Sequence, residues 1–140
     1  MTLRRLIIIV PFILSLACYS CKTNKTVNHY KEGKWVYKDT VNNVLYKSKG
    51  RYHKSREIKT WKHYENRKLV KTEKYLDTIC HIETFDHKGR VTSKGQSIIL
   101  EEKDGTHWYL TGDWIFFDEN SQIIGIKKYL KGELISEEAK

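Results

Sequence analysis

The only proline in this sequence is Pro11, and beyond residue 17 no stretch repeats apolar residues at the i, i+3, i+4, i+7 spacing of a half-buried helix. The second absence argues against an amphipathic helical bundle. Cysteine is scarce as well. "CYSC" holds Cys18 and Cys21 as a C-x-x-C pair, but Cys80 is the one thiol left to complete a metal site, so that pair does not read as a metal or redox motif. A disulfide between Cys80 and an early cysteine stays open in an oxidising compartment. H-E-x-x-H, G-x-S-x-G and a glycine-rich phosphate loop are all missing, which removes the local signatures of the common metallopeptidases, serine hydrolases and nucleotide enzymes.

What is present begins with "MTLRRLIIIVPFILSLAC", two arginines, an apolar run from Leu6 to Leu16 and a small residue before cysteine. The run is too short to span a bilayer and has the form of a secretory signal, residues 1–17. Cysteine directly after Ala17 makes it resemble a bacterial lipoprotein signal, in which that cysteine carries the lipid. Cys18 is the expected acceptor because it adjoins the apolar run; Cys21, preceded by Ser20, is the alternative. Residues 18–32 then read as a tether and 33–140 as one folded domain. The resemblance implies a membrane-anchored lipoprotein of the cell envelope.

In that domain Tyr and Trp supply most of the aromatic side chains, in short runs broken by Gly, Asn and Asp. Aromatic and β-branched residues in that arrangement predict strands and turns, hence an all-β chain. Tyr64, Phe85 and Phe117 are each followed by an acidic residue, a polar tip and an aliphatic: Leu69, Val91 and Ile123. Each segment reads as a hairpin in which the aromatic closes one strand and the aliphatic opens the next, across from it. Leu69 to Tyr75 and Ile123 to Tyr129 repeat a spacing of six, and Trp61-x-x-Tyr64 recurs as Trp114-x-x-Phe117. A longer tip is expected around Asn42-Asn43, and an extra hairpin turning at Asp104-Gly105. A hairpin owning so few large side chains has a core only once its neighbours stack beside it. The expected architecture is an antiparallel meander of repeated hairpins.

"GKWVYK…NNVLYKSKGRY", "TWKHYENRKLVKTEKY" and "GDWIFFDENSQIIGIKKYLKGEL" resemble the G-x-W-x-x-Y-x-x-x-G-x-L…Y-x-x-G units of the bacterial MORN-repeat variant. The likeness covers most of Gly33 to Leu134. Arg67 and Ser121 stand where that pattern has a turn glycine, and the third unit lacks its Trp-x-x-Tyr opening. The resemblance implies a hairpin meander of the kind found in secreted lipoproteins, some of them classed as antitoxins.

Charge divides the chain. Lys22 to Tyr75 holds sixteen Lys and Arg against five Asp and Glu, a net of +11; Leu76 to Lys140 holds eight against twelve, a net of −4. The basic half lies nearest the expected anchor, and a lipid with a polybasic segment makes a two-signal membrane attachment. Alternating lysines also serve as ordinary solvated faces and as edge protection. Trp35, Tyr37, Tyr46, Arg51, Tyr52 and Lys62 form the candidate binding surface, with the aromatics alternatively being core. Nucleic acid is not an expected partner, because a secreted protein rarely meets it.

Six histidines are scattered, and the nearest approach to a constellation is His81, Glu83, Asp86 and His87. On a strand His81 and Glu83 share a face, as two metal ligands would, whereas Asp86 and His87 suit a hairpin tip. No cofactor is implied. The function expected is a non-enzymatic binding or interaction module, anchored to the envelope and facing a protein or an anionic envelope component. A small envelope hydrolase or metal-dependent enzyme at His81–His87, and an immunity protein binding a toxin, are the alternatives.

Overall fold

The computed structural model describes residues 22–140, so the expected signal, Cys18 and Cys21 lie outside the described residues. The rest is all-β, and no helix occurs among the described residues. Ten strands run in chain order through one antiparallel sheet: β1 (Lys25–Val27), β2 (Tyr30–Val41), β3 (Val44–His53), β4 (Arg56–Glu65), β5 (Lys68–Leu76), β6 (Ile79–Phe85), β7 (Val91–Glu102), β8 (Gly105–Phe117), β9 (Ile123–Leu130) and β10 (Glu133–Ala139). Each strand pairs with its chain neighbours, so the fold is a hairpin meander.

The expected pairings are present: Tyr64 opposes Leu69, Phe85 opposes Val91 and Phe117 opposes Ile123. Three details differ from the reading of the sequence. The Asn42-Asn43 tip is a tight two-residue turn, because both asparagines take left-handed backbone angles and let the flanking strands pair up to Val41 and Val44. The β7–β8 hairpin turns at Lys103-Asp104, one residue early, with Gly105 already paired to Glu102. Strand pairing also starts at Lys25, inside the segment read as a tether. There the Asn24 side chain serves as a substitute strand partner, its amide donating to the Val36 carbonyl at 3.0 Å and its oxygen accepting from Val36 N–H at 2.7 Å.

The repeat is geometric as well as compositional. Between the pairs Lys49–Lys62 and Arg51–Ile58, β4 advances four residues while β3 advances two; β8 and β7 do the same between Lys94–Ile115 and Gln96–Thr111. Each bulge contains one left-handed residue, Lys59 or Gly112, two positions before a tryptophan. Gly33 holds the same place before Trp35. The bulges throw Trp61 and Trp114 across Gly50 and Gly95, so close that a side chain on either glycine would collide with the indole. Trp61 Nε1 donates to the Arg51 carbonyl and Trp114 Nε1 to the Gln96 carbonyl, both at 3.1 Å.

Side chains alternate between the two faces of a sheet, and the register carries that alternation from strand to strand. Tyr52, Trp61, Cys80, Ser93 and Ser97, the buried residues of the described chain, all fall on one face, hereafter the core face. Trp61 is the large side chain there, only 4% exposed. It stacks on Tyr37 at 6.2 Å between ring centres and meets Tyr52 edge-on at 4.9 Å.

Candidate binding faces

The six residues read as one binding surface divide between the two faces. Trp35, Tyr37, Tyr46 and Tyr52 lie on the core face, and Arg51 and Lys62 on the outer face. The cause is the period of two along β3: Arg51 lies between Gly50 and Tyr52 and must point the other way. Trp35, Tyr37 and Tyr52 instead surround the ammonium of Lys31, whose Nζ lies 5.3, 5.6 and 5.0 Å from the three ring centres and donates to Tyr37 Oη at 3.0 Å. These aromatics pack around the chain's own cation, with Tyr37 keeping 39% of its surface exposed.

On the outer face, the same period of two gathers positive charge. Lys34 and Lys38 of β2, Lys47, Lys49 and Arg51 of β3, and Lys62 of β4 all point outward. Lys34, Lys49, Arg51 and Lys62 border an open cleft of about 420 Å³, with Thr23 and Thr60 at its edge, and no carboxylate lines it. Lys38 and Lys47 border a second cleft beside it, which shares Thr23 and Val36. Lys49 also rests 5.1 Å over the Tyr64 ring, as Lys94 rests 5.4 Å over Phe117 in the later unit, so one lysine per repeat doubles as a packing group.

The core face carries a polar network that sequence reasoning missed. Ser48 Oγ lies 2.9 Å from His63 Nδ1, and His63 Nε2 lies 2.8 Å from Glu73 Oε2. Lys71 Nζ donates to Glu73 Oε1 at 2.8 Å and Tyr75 Oη to Oε2 at 3.2 Å. Burial pushes the Glu73 carboxyl up, but hydrogen bonds from His63 and Lys71 outweigh it and hold the group down at about 2. An ionised Glu73 can only accept, so His63 Nε2 carries a hydrogen towards it, while Nδ1 faces the Ser48 hydroxyl. The order of groups is that of a nucleophile, base and orienting acid. Ser48, however, lies mid-strand, paired with Tyr37 on one side and His63 on the other, so the neighbouring backbone N–H groups are spent in the ladders rather than aimed at a reacting oxygen. No spacing in the chain could have shown this network, since its members sit on β3, β4 and β5 and meet only through the register.

His81 and Glu83 share the outer face of β6, as expected, and border a shallow pocket with Thr60, Thr72, Lys74 and Leu76. Asp86 is committed elsewhere. Its carboxylate caps the β6–β7 turn, accepting Lys88 N–H at 2.8 Å, Arg90 N–H at 2.9 Å and Arg90 Nε at 2.7 Å, and the backbone bonds hold its pKa down at about 2. Asp118 caps the β8–β9 turn in the same way, accepting Asn120 and Gln122 N–H, both at 2.8 Å. His81 to His87 therefore do not converge. Potential metal ligands do cluster at the exposed tip of the β7–β8 hairpin, where the ligand atoms of Glu102, Asp104 and His107 lie within 4.8 Å of one another and His107 already bonds Asp104 at 3.0 Å. Cys80 is buried on the core face, and burial, reinforced by the Glu73 charge, pushes its thiol up to about 12, far from the range of a reactive thiolate. Comparison with protein-family models, curated proteins and solved structures found no match to this chain.

Proposed function

We propose that this chain is a non-enzymatic binding module of the bacterial cell envelope, of the MORN-variant type, tethered by a lipid on Cys18 or Cys21, whose outer face engages an anionic membrane surface. The observation that carries this reading is the gathering of Lys34, Lys38, Lys47, Lys49, Arg51 and Lys62 on one face, beside clefts without a bordering carboxylate. Near an anionic bilayer each such cation contributes about 1 kcal/mol. The basic face would add an electrostatic contact beside the lipid anchor and hold the domain down on the surface. The strands that carry it follow directly on the tether, which keeps the charge within reach of the surface.

The test is co-sedimentation of the unlipidated domain with vesicles of phosphatidylglycerol and of phosphatidylcholine. Binding is expected to the anionic vesicles alone. It should fall steeply as salt rises above about 0.1 M, where the screening length shrinks below about 10 Å. Equal binding to both vesicles, or none to either, contradicts the reading; capture of an acidic protein with no vesicle binding would replace the membrane by that partner.

A further inference from the structure

One row of residues crosses the core face from strand to strand: Trp35, Gly50, Trp61, Glu73, Ile82, Gly95, Trp114. Twice a glycine is covered by the tryptophan of the next strand. Between those stacks the pattern breaks, and Glu73 and Ile82 stand where a glycine and a tryptophan would. Strands β5 and β6 also pair without a bulge from Lys71 to Leu76, so nothing is thrown across the sheet there.

The break leaves a pocket of about 300 Å³. Cys80, Ile82 and Leu110 form its apolar floor, and Glu73 and Ser97 supply polar groups. Its wall is an aromatic pair, Tyr75 and Trp108, meeting edge to face at 5.6 Å. Trp108 belongs to the extra length of the β7–β8 hairpin and is 40% exposed, so a broad indole surface is offered to solvent rather than spent in the core. Local rules broken together at one place, with the vacated space lined by mixed chemistry, mark a functional site rather than a packing accident.

We propose that this pocket binds one neutral hydroxylated ring, a monosaccharide unit of a glycan. The electrostatics eliminate the other ligand classes. Lys71 already sits against the Glu73 carboxylate, and His63 and Tyr75 also bond it, so a cationic ligand gains little. An anion would meet the ionised Glu73. A wholly apolar ligand would cover the Ser97 hydroxyl without satisfying it. A sugar ring lays its C–H face on Trp108 and the apolar floor. A hydroxyl donates to Glu73 Oε1, which accepts only Lys71 so far, and others exchange bonds with Ser97. The volume is at the lower end of the usual range for ligand sites, about 300–1,000 Å³, which suits one ring. This site is on the opposite face from the basic surface and does not rest on the membrane reading.

The experiment is a titration of the ¹⁵N-labelled protein with methyl glycosides of glucose, galactose and N-acetylglucosamine and with their short oligomers, following the four tryptophan indole N–H signals. The Trp108 signal is expected to move saturably with at least one sugar, while those of Trp61 and Trp114, bonded to backbone carbonyls, stay in place. A longer oligomer that binds no better than the single unit places one ring in the pocket; a tighter oligomer extends the site along the face. Trp108→Ala should weaken binding at least about tenfold, and Trp108→Tyr should largely restore it, since the platform is kept. If no sugar moves the Trp108 signal, or if tetramethylammonium moves it at lower concentration than any sugar, the proposal is overturned.

Discussion

Trp61 lies flat across Gly50, so closely that a Cβ on the glycine would come within 2.1 Å of the indole, and Trp114 lies over Gly95 at 2.2 Å. Gly50 is not among the residues with a left-handed backbone, so alanine there is excluded by the ring alone. Gly50→Ala should therefore cost at least about 1–3 kcal/mol, the usual range for overpacking, and Trp61→Ala about 3–5 kcal/mol. In a double-mutant cycle, Gly50→Ala should cost almost nothing once Trp61 is alanine. Urea unfolding of the four proteins measures this, and additive effects would mean that the stack does not hold the strands together. Trp108→Ala, which removes a half-exposed ring, should cost much less than Trp61→Ala.

Lys59 carries a side chain at a backbone angle, φ 60°, where the matching positions are Gly33 and Gly112. A left-handed non-glycine residue costs about 1–2 kcal/mol, partly offset by the greater freedom of glycine in the unfolded chain. Lys59→Gly should accordingly stabilise the domain by about 0.5–1 kcal/mol, and Gly112→Ala should destabilise it by about the same or more. Thermal unfolding decides between this and a Lys59 that contributes through its side chain, for which the glycine variant would lose stability.

The Glu73 carboxyl is held at about 2 against an ordinary value of 4.5. Because the folded value is the lower one, the stabilisation is complete above about pH 4.5 and is lost as pH falls toward 2. Glu73→Gln should lower the unfolding free energy from urea titration at about pH 6, by an amount on the order of 3 kcal/mol at most. The gap between variant and parent should close as pH falls through that window. A gap independent of pH would show that Glu73 acts through its shape rather than its charge.

The hairpins were legible because their signals are local. Tyr64–Leu69, Phe85–Val91 and Phe117–Ile123 are close in sequence and oppose one another as the spacing implies. The equivalence of Trp61 and Trp114 was legible too, but its mechanism was not. The left-handed residue ahead of Trp61 is a lysine rather than a glycine, and Gly50 and Gly95 gave no sign of what lies over them. Arg67 and Ser121, which depart from the repeat pattern, nonetheless take its left-handed turn angles, φ 70° and 62°. The turn at Lys54-Ser55, φ 48° and 63°, contains neither Gly nor Asn and so left no mark in the composition. What escaped the sequence was facing across strands. That Arg51 points away from Tyr52 follows from alternation along β3, but whether Ser48, His63 and Glu73 meet depends on register summed across three strands.

The cations of the outer face and the packed aromatics of the core face can be changed separately, which gives the most direct test of the proposed membrane contact. Lys34→Glu, Arg51→Glu and Lys62→Glu together cancel the positive charge of the six outward-facing cations and leave Tyr52, Trp61 and Cys80 untouched. Lys34 and Lys62 are exposed and Arg51 is half-buried, and surface charges of this kind contribute little to stability, about 0–1 kcal/mol each. Urea midpoint and anionic-vesicle binding are to be measured on the same triple variant. The prediction is a nearly unchanged midpoint with binding reduced at least about tenfold, as three cations near an anionic surface imply. Binding retained by a folded triple variant would contradict it.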